Sequence, residues 1–274
     1  MFEDNMKISN ILSRKNRILL RELVITDFKL RYQGSVLGYL WSLLKPLFLF
    51  AIMYVVFGVL VKLGSVEHYS VYLLLGIVLW TFFSEATNQG MASIISRGDL
   101  IRKISFPKYI IVLSTTISAL INLGLNLIIV AILMVVNGVT LHADAALFPL
   151  YIIEIYILAL GLAFFLSALN VKFRDTGHIW EIIMQAAFYA TPIIYPLSVA
   201  IQKSDTIAKL IMLNPVAQAI QDARYVLITR ESVTINNLFS SPWLVFIPLA
   251  IVLAIFATGT LYFKKHSKYF AESI

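Results

Sequence analysis

Six apolar runs, near 43–63, 70–90, 109–136, 146–170, 178–196 and 243–263, set the strongest constraint on how this chain can fold. A helix needs about 20 apolar residues to cross the roughly 30 Å of bilayer hydrocarbon, and each run meets or approaches that length. No water reaches the backbone in lipid, so such a run satisfies its N–H and C=O groups by coiling into an α-helix. Hydrophobic residues make up 59% of the 274 and charged residues only 14%, whereas soluble domains lie nearer half apolar and a quarter charged. One core cannot hide that excess, so most of it faces lipid.

The stretch Asp27 to Pro46, DFKLRYQGSVLGYLWSLLKP, joins a basic amphipathic arm to the first apolar run. In the arm, Ile8, Ile11, Leu12, Leu19, Leu20, Leu23, Val24 and Phe28 recur near helical spacing, with Lys7, Arg14, Lys15, Arg17 and Arg21 between them. That pattern predicts a helix lying on an anionic membrane face. Gly34 and Gly38 then break it, and Tyr39 and Trp41 precede the turn into the bilayer. The first 40 residues hold no uninterrupted apolar core, so no cleavable signal peptide is expected. A net charge of +7 would suggest nucleic acid in a soluble protein. Here it reads as the Lys and Arg excess of cytoplasmic loops, and no nucleic-acid partner is expected. With the N-terminus in the cytoplasm, 17 of the 22 Lys and Arg fall on that side, against Lys62, Lys203, Lys209, Arg224 and Arg230 outside. Both termini are therefore expected in the cytoplasm, and the chain in the cytoplasmic (inner) membrane as a multi-pass protein.

The outer segment 197–242 carries Ile201, Ile207, Leu210, Ile211 and Leu213 before Asn214-Pro215, then a mixed stretch from Val216 to Ile228. Apolar stretches this short suit re-entrant or interfacial helices, and Asn-Pro marks a turn between them. The reading is two half-helices dipping into the outer leaflet, with a small extracellular helical hairpin as the alternative.

Signals for chemistry are few. The absence of cysteine removes disulfides, thiolate metal sites and cysteine nucleophiles, and His68, His142, His178 and His266 lack metal-ligand spacing. There is no G-x-x-x-x-G-K-[ST] phosphate loop, so any ATP used must be hydrolysed by a separate subunit. H-E-x-x-H, G-x-S-x-G and paired acidic clusters are absent too. Glu85, Glu154 and Glu181 fall in or beside the apolar runs, where a carboxylate is either functional or solvated at the membrane edge. In the fifth run Glu181, Gln185, Phe188, Pro192 and Tyr195 follow steps of 4, 3, 4 and 3, which places them on one helical face. In the first run Phe50, Tyr54 and Phe57 do the same. Aromatic faces stack on the apolar faces of sugar rings, so both stripes are candidates to line a conduit; the alternative is lipid contact or packing. Thr115, Ser118, Asn122 and Asn126 share a face of the third run, as helix-packing or dimer residues do, with substrate contact as the alternative. The loop MASIISRGDLIRKISFPK, 91–108, mixes Ile94, Ile95, Leu100, Ile101 and Ile104 with Arg97, Asp99, Arg102 and Lys103. It predicts a short surface helix that docks on a soluble partner or on headgroups.

RYQGSVLGYLW (Arg31–Trp41), Phe106-Pro107, NVKFRD (Asn170–Asp175), TPIIY (Thr191–Tyr195), Asn214-Pro215 and the terminal KYFAESI follow one another across essentially the whole chain. On these residues the chain resembles the membrane subunit of ABC-2 type polysaccharide exporters, the O-antigen, teichoic-acid and capsule permeases. The resemblance implies a homodimer of six-span subunits above two ATP-binding cassette subunits, which hold the ATP and Mg; no cofactor is implied in this chain. It implies a glycan cargo on a polyprenyl diphosphate carrier. It also implies ATPase contact through the N-terminal helix and the first cytoplasmic loop, an exit gate in the outer half-helices, and a channel lined by the first and fifth spans.

The expected fold is an all-α membrane protein with six transmembrane helices. It divides into an interface region (1–42), a six-span domain (43–263) with its re-entrant segment at about 197–230, and a cytoplasmic tail (264–274). Lys29, Arg31, Arg97, Arg102, Lys103 and Arg174 are candidates to meet lipid diphosphate or the ATPase, Lys and Arg being favoured near anionic headgroups. A membrane enzyme acting on lipid-linked sugars would need a His or carboxylate cluster at one face, and none is present. An ion-coupled secondary transporter would need matching broken helices in two halves, and the one interrupted segment, 197–242, has no counterpart.

Overall fold

The computed structural model describes residues 13–31, 34–62, 66–239 and 243–273, without the side chains of Phe28, Leu30, Arg31 and Ser273. Ile8, Ile11 and Leu12 of the expected interface helix, and the Arg31 side chain, lie outside the described residues. Every regular element within them is helical. The helix expected at the membrane interface is α1 (Arg14–Arg31); α2 (Leu40–Met53) runs on as a wide π-turn, Tyr54–Leu60. Then come α3 (Tyr69–Ser96), α4 (Gly98–Lys103), α5 (Tyr109–Val136), and α6 (Phe148–Lys172) after a 3₁₀ turn at Ala143–Leu147. There follow α7 (Thr176–Ala190), α8 (Leu197–Lys203), α9 (Asp205–Met212), α10 (Pro215–Leu227) and α11 (Ile235–Leu238). The last elements are α12 (Ile247–His266) and α13 (Phe270–Ser273).

Among the described residues, five helical stretches are long and apolar enough to cross a membrane: Leu40–Leu60, Tyr69–Ser96, Tyr109–Val136, Ala143–Lys172 and Leu244–Glu272. The chain is a multi-pass membrane protein. The run expected to span at 178–196 differs. Its helix, α7, has 15 residues and covers about 22 Å at 1.5 Å per residue, less than the bilayer core. Pro192 explains the early stop, because a residue before proline is pushed out of helical geometry. Thr191 has turned to φ −88°, ψ 138°.

In lipid the hydrophobic effect does not drive helices together, so close packing and interhelical hydrogen bonds must. α3 is the central element, buried over most of its length and in contact with α2, α5, α6, α7 and α10. α6 meets α12 backbone to backbone at Gly161 and Gly259: a Cβ built on Gly161 would lie 2.6 Å from the Phe256 Cα, and one on Gly259 would strike the Gly161 carbonyl. Polar ties supplement the packing. Asn170 Nδ2 of α6 donates to the Met91 carbonyl of α3 at 3.3 Å, and Trp180 Nε1 of α7 donates to Thr87 Oγ1 at 3.3 Å.

Pro46 lies within α2 and has no N–H to give the Ser42 carbonyl four residues back. Asn126 of α5 donates to that carbonyl instead, at 3.3 Å. All four members of the α5 polar stripe, Thr115, Ser118, Asn122 and Asn126, are buried within the subunit. The stripe packs α5 against its own neighbours.

Candidate functional site

At one end of the molecule the chain between α7 and α8, Thr191–Pro196, has left helical geometry, so its carbonyls lack a ladder. Three consecutive ones are captured by side chains. Arg224 Nη1 donates to the Pro192 carbonyl at 2.6 Å, Arg224 Nη2 to that of Ile193 at 2.7 Å, and the Tyr69 hydroxyl to that of Ile194 at 2.7 Å. Arg224 Nε also donates to the Tyr72 carbonyl at 3.0 Å, and Nη1 to Gln221 Oε1 at 2.9 Å, an oxygen that also accepts from the Tyr72 hydroxyl at 3.0 Å. The guanidinium lies 3.5 Å from the Tyr72 ring centroid and is wholly buried. Irregular backbone at membrane depth survives where protein satisfies it, and a planar fork with five donors suits the task. Gly76 makes room, since a Cβ there would collide with Nη2.

Arg224 stands on α10, whose start is fixed by Asn214, the side-chain oxygen accepting from the Val216 N–H at 3.0 Å, with Pro215 in the first turn. The expected turn at Asn-Pro is this cap. The segment before it is two helices, α8 and α9, divided at Ser204, which caps α9. α10 is buried from Pro215 to Arg224. Gln218 donates to Asp222 Oδ2 at 2.5 Å, while Asp222 Oδ1 is buried with no partner among the described residues. Glu154 of α6 is half-buried and near enough to Asp222 to interact with its charge. Arg230 bonds Asp144 at 2.5 Å on the exposed rim, a contact that raises the Arg230 pKa.

The conduit candidates separate. Phe50 stacks on Tyr54 at 5.7 Å, Tyr54 on Tyr69 at 6.4 Å, and Tyr69 on Tyr72 at 6.2 Å, a ladder of rings that ends on Arg224. Phe57 is half-buried against the same core. On α7, Glu181 and Gln185 are exposed, and Phe188 is half-buried with its ring 5.9 Å from that of Trp80. Pro192 and Tyr195 leave the expected stripe: the helix ends at Ala190, Pro192 is buried, and the Tyr195 hydroxyl folds back toward the Tyr189 and Ala190 carbonyls at 3.4 Å. The 4-3-4-3 spacing assumed a helix that the proline ends.

At the other end, the basic candidates fall into two groups. Arg97, at the α3–α4 junction, is ion-paired with Asp27 of α1, and Ser114 of α5 completes the triad at 3.1 Å from Arg97 Nη1 and 3.2 Å from Asp27 Oδ2. Burial draws the Arg97 pKa down from its ordinary value, and the adjacent carboxylate favours the charged form. Lys29, Arg102, Lys103 and Arg174 are exposed. The 91–108 loop holds the short helix α4, with Ile101 in one cluster with Leu23 of α1, Phe263 of α12 and Phe270 of α13. Interface helix, loop helix and C-terminal helix are thus joined.

The sequence reading missed Arg224, Tyr69, Tyr72 and Gln221, having counted Arg224 among the outer-loop charges. A visible sign was a lone arginine in a helix whose Gln218, Gln221 and Asp222 lie within two turns of it.

A family model described as an ABC-2 type transporter matches residues 18–228. The O-antigen export system permease protein RfbA of Myxococcus xanthus is 33% identical over 199 residues, covering 73% of this chain and 76% of the relative. Two proteins of the same name from Klebsiella pneumoniae are 32% and 30% identical over 201 residues, each alignment covering 72% of this chain and 76% of the relative. The matched region takes in most of α1, the Asp27–Arg97 pair, the captured break and Arg224, and the chain belongs to the ABC-2 type transporter family of membrane proteins.

Proposed function

We propose that this chain is the permease subunit of an ATP-driven exporter that moves a polyprenyl-diphosphate-linked polysaccharide of the O-antigen type across the cytoplasmic membrane. The observation that carries this reading is the similarity, over nearly three quarters of the chain, to permeases named for O-antigen export. In this reading two copies pair above two ATP-binding cassette subunits, which supply ATP and Mg. The charge asymmetry of the loops supports cytoplasmic termini; because Arg224 is buried, it is no outer-loop charge and the asymmetry is steeper.

α7 with the break after it acts as the sixth crossing, and α8 to α10 form the outer gate. The exposed Glu181 and Gln185, with Phe188, supply the conduit wall on α7, and Phe50, Tyr54 and Phe57 that on α2 and the π-turn continuing it. Lys29, Arg31, Arg102, Lys103 and Arg174 serve carrier phosphate or ATPase, while Arg97 serves through its pair with Asp27. ATP-driven motion of the partner pushes on α4, and the Asp27–Arg97–Ser114 contact passes the push to α1 and α5.

The test is charge reversal of the exposed pair, Arg102→Glu with Lys103→Glu. Loss of ATPase co-purification and of export is expected. Retention of both at wild-type level would reject α4 as the docking element.

A further inference from the structure

A pocket of about 280 Å³ opens where α2 begins, between α2, α3 and α5, and its lining includes Trp41, Lys45, Trp80, Glu85 and Asn122. It differs from the aromatic stripes in combining rings with charge and amide groups. Trp80 is nearly buried and held between Phe83, at 5.8 Å, and Phe188, at 5.9 Å, so its ring is fixed; Trp41 is exposed. Glu85 Oε1 accepts from Asn122 Nδ2 at 2.7 Å and from Gln89 Nε2 at 2.8 Å, which orients the carboxylate. The same bond fixes the amide of Asn122, which is 3% exposed, and leaves its Oδ1 buried with no partner among the described residues. Buried polar atoms rarely stay unpaired, so such an oxygen calls for an explanation, and an absent donor is one. Lys45 is exposed and makes no ion pair among the described residues.

Indole faces suit the C–H face of a pyranose, a carboxylate and an amide suit its hydroxyls, and an ammonium suits a phosphate. Pockets for drug-sized ligands span about 300–1,000 Å³, so this one suits a single ring with its substituent and not a polymer. We propose that the pocket is a subsite for one glycosyl phosphate unit, with the ring against Trp41 and Trp80, hydroxyls at Glu85 and Asn122, and phosphate at Lys45. The inference rests on the glycan-export reading and adds that the passage recognises the sugar next to the phosphate.

The test uses the full chain in lipid nanodiscs with Trp180→Phe and Trp243→Phe, so that only the two pocket tryptophans fluoresce. The probes are N-acetylglucosamine 1-phosphate, N-acetylglucosamine, inorganic phosphate, and N-acetylglucosamine diphosphate on a polyprenyl chain. Saturable quenching is expected from the sugar phosphate, with free sugar weaker by about tenfold or more, the loss of one charge-assisted contact, and inorganic phosphate weaker by about tenfold or more, the loss of the ring and hydroxyl contacts. Response to the lipid-borne probe alone assigns the site to the carrier, and response to the soluble probe as well assigns it to the bare headgroup; both support the subsite. Lys45→Gln should weaken the sugar phosphate by about tenfold and leave the free sugar unchanged. Asn122→Ala should weaken both. No saturable quenching by any probe, equal quenching by inorganic phosphate, or indifference to Lys45→Gln overturns the proposal; Lys45 is exposed, so that variant carries little risk to the fold. Export is scored separately with the ATPase present. If the wild type exports glycan and Lys45→Gln binds and exports as well as it does, the subsite falls and the permease reading stands. If the wild type exports no glycan, the permease reading falls on its own.

Discussion

Arg224 shows what one side chain must do where water is scarce. Its guanidinium satisfies the carbonyls of Tyr72, Pro192 and Ile193, and each buried acceptor left bare costs about 1–3 kcal/mol. Arg224→Leu should therefore lower stability by several kcal/mol, read as thermal unfolding in detergent. Arg224→Lys should fall between, because an ammonium cannot span the fork. Equal stability of all three would refute the capture. Gly76→Ala should disturb the same bonds, so its cost and that of Arg224→Leu should overlap and not add in a double-mutant cycle. Asp222 carries the opposite lesson. One of its oxygens is buried without a partner among the described residues, and an uncompensated charge is costly there. Asp222→Asn should hold or raise stability, and a loss beyond about 1 kcal/mol would reveal a partner for the carboxylate. Little of this was legible in the sequence, because an arginine in an outer segment looks the same whether it meets water or three carbonyls.

Among the elements, helix contacts without side chains leave least room for change. The Gly161–Gly259 meeting puts α6 and α12 in backbone contact, and Gly259→Ala would drive a Cβ into a carbonyl that cannot turn aside. A loss of about 1–3 kcal/mol is expected for such overpacking, and a thermal unfolding midpoint equal to wild type would contradict it. The Asp27–Arg97 pair joins α1 to the α3–α4 junction. Asp27→Arg should stop export, and adding Arg97→Asp should restore part of it; no rescue by the swap would show that the pair does not join the two elements in function. That α1 and α4 are helices was readable from periodicity. The end of α7 was read too far, since a 4-3-4-3 pattern runs on through Pro192 although the helix does not. The polar stripe on α5 was visible, but its purpose depended on Pro46, 80 residues away in sequence, whose missing N–H created the demand that Asn126 meets.

For the whole molecule, the helices differ in how firmly they are held. α3 packs closely on α5 and α6, and α6 on α12, whereas α2 has little of its surface covered within the subunit. Val55 and Val59, in the π-turn that continues it, are 52% and 54% exposed. The native chain has no cysteine, so single cysteines report cleanly. If α2 faces the second copy, Val55→Cys or Val59→Cys should cross-link two chains in native membranes while Tyr72→Cys, buried in the core, should not. Absence of dimer at both positions would place the pairing surface elsewhere. The membrane character was legible because six apolar runs can do little else; which helices stay together and which stand apart was not, since it depends on glycines and carbonyls that hydropathy ignores. The wide turn at Tyr54–Leu60, where the Val61 N–H reaches back to the Val56 carbonyl at 2.9 Å, then acquires a meaning. A π-turn carries extra chain compared with an α-turn. Drawing one residue out of it into an α-turn would rotate the rings beyond by about 100°, one helical step, so this tip would present a different set of rings without sliding the stem below it.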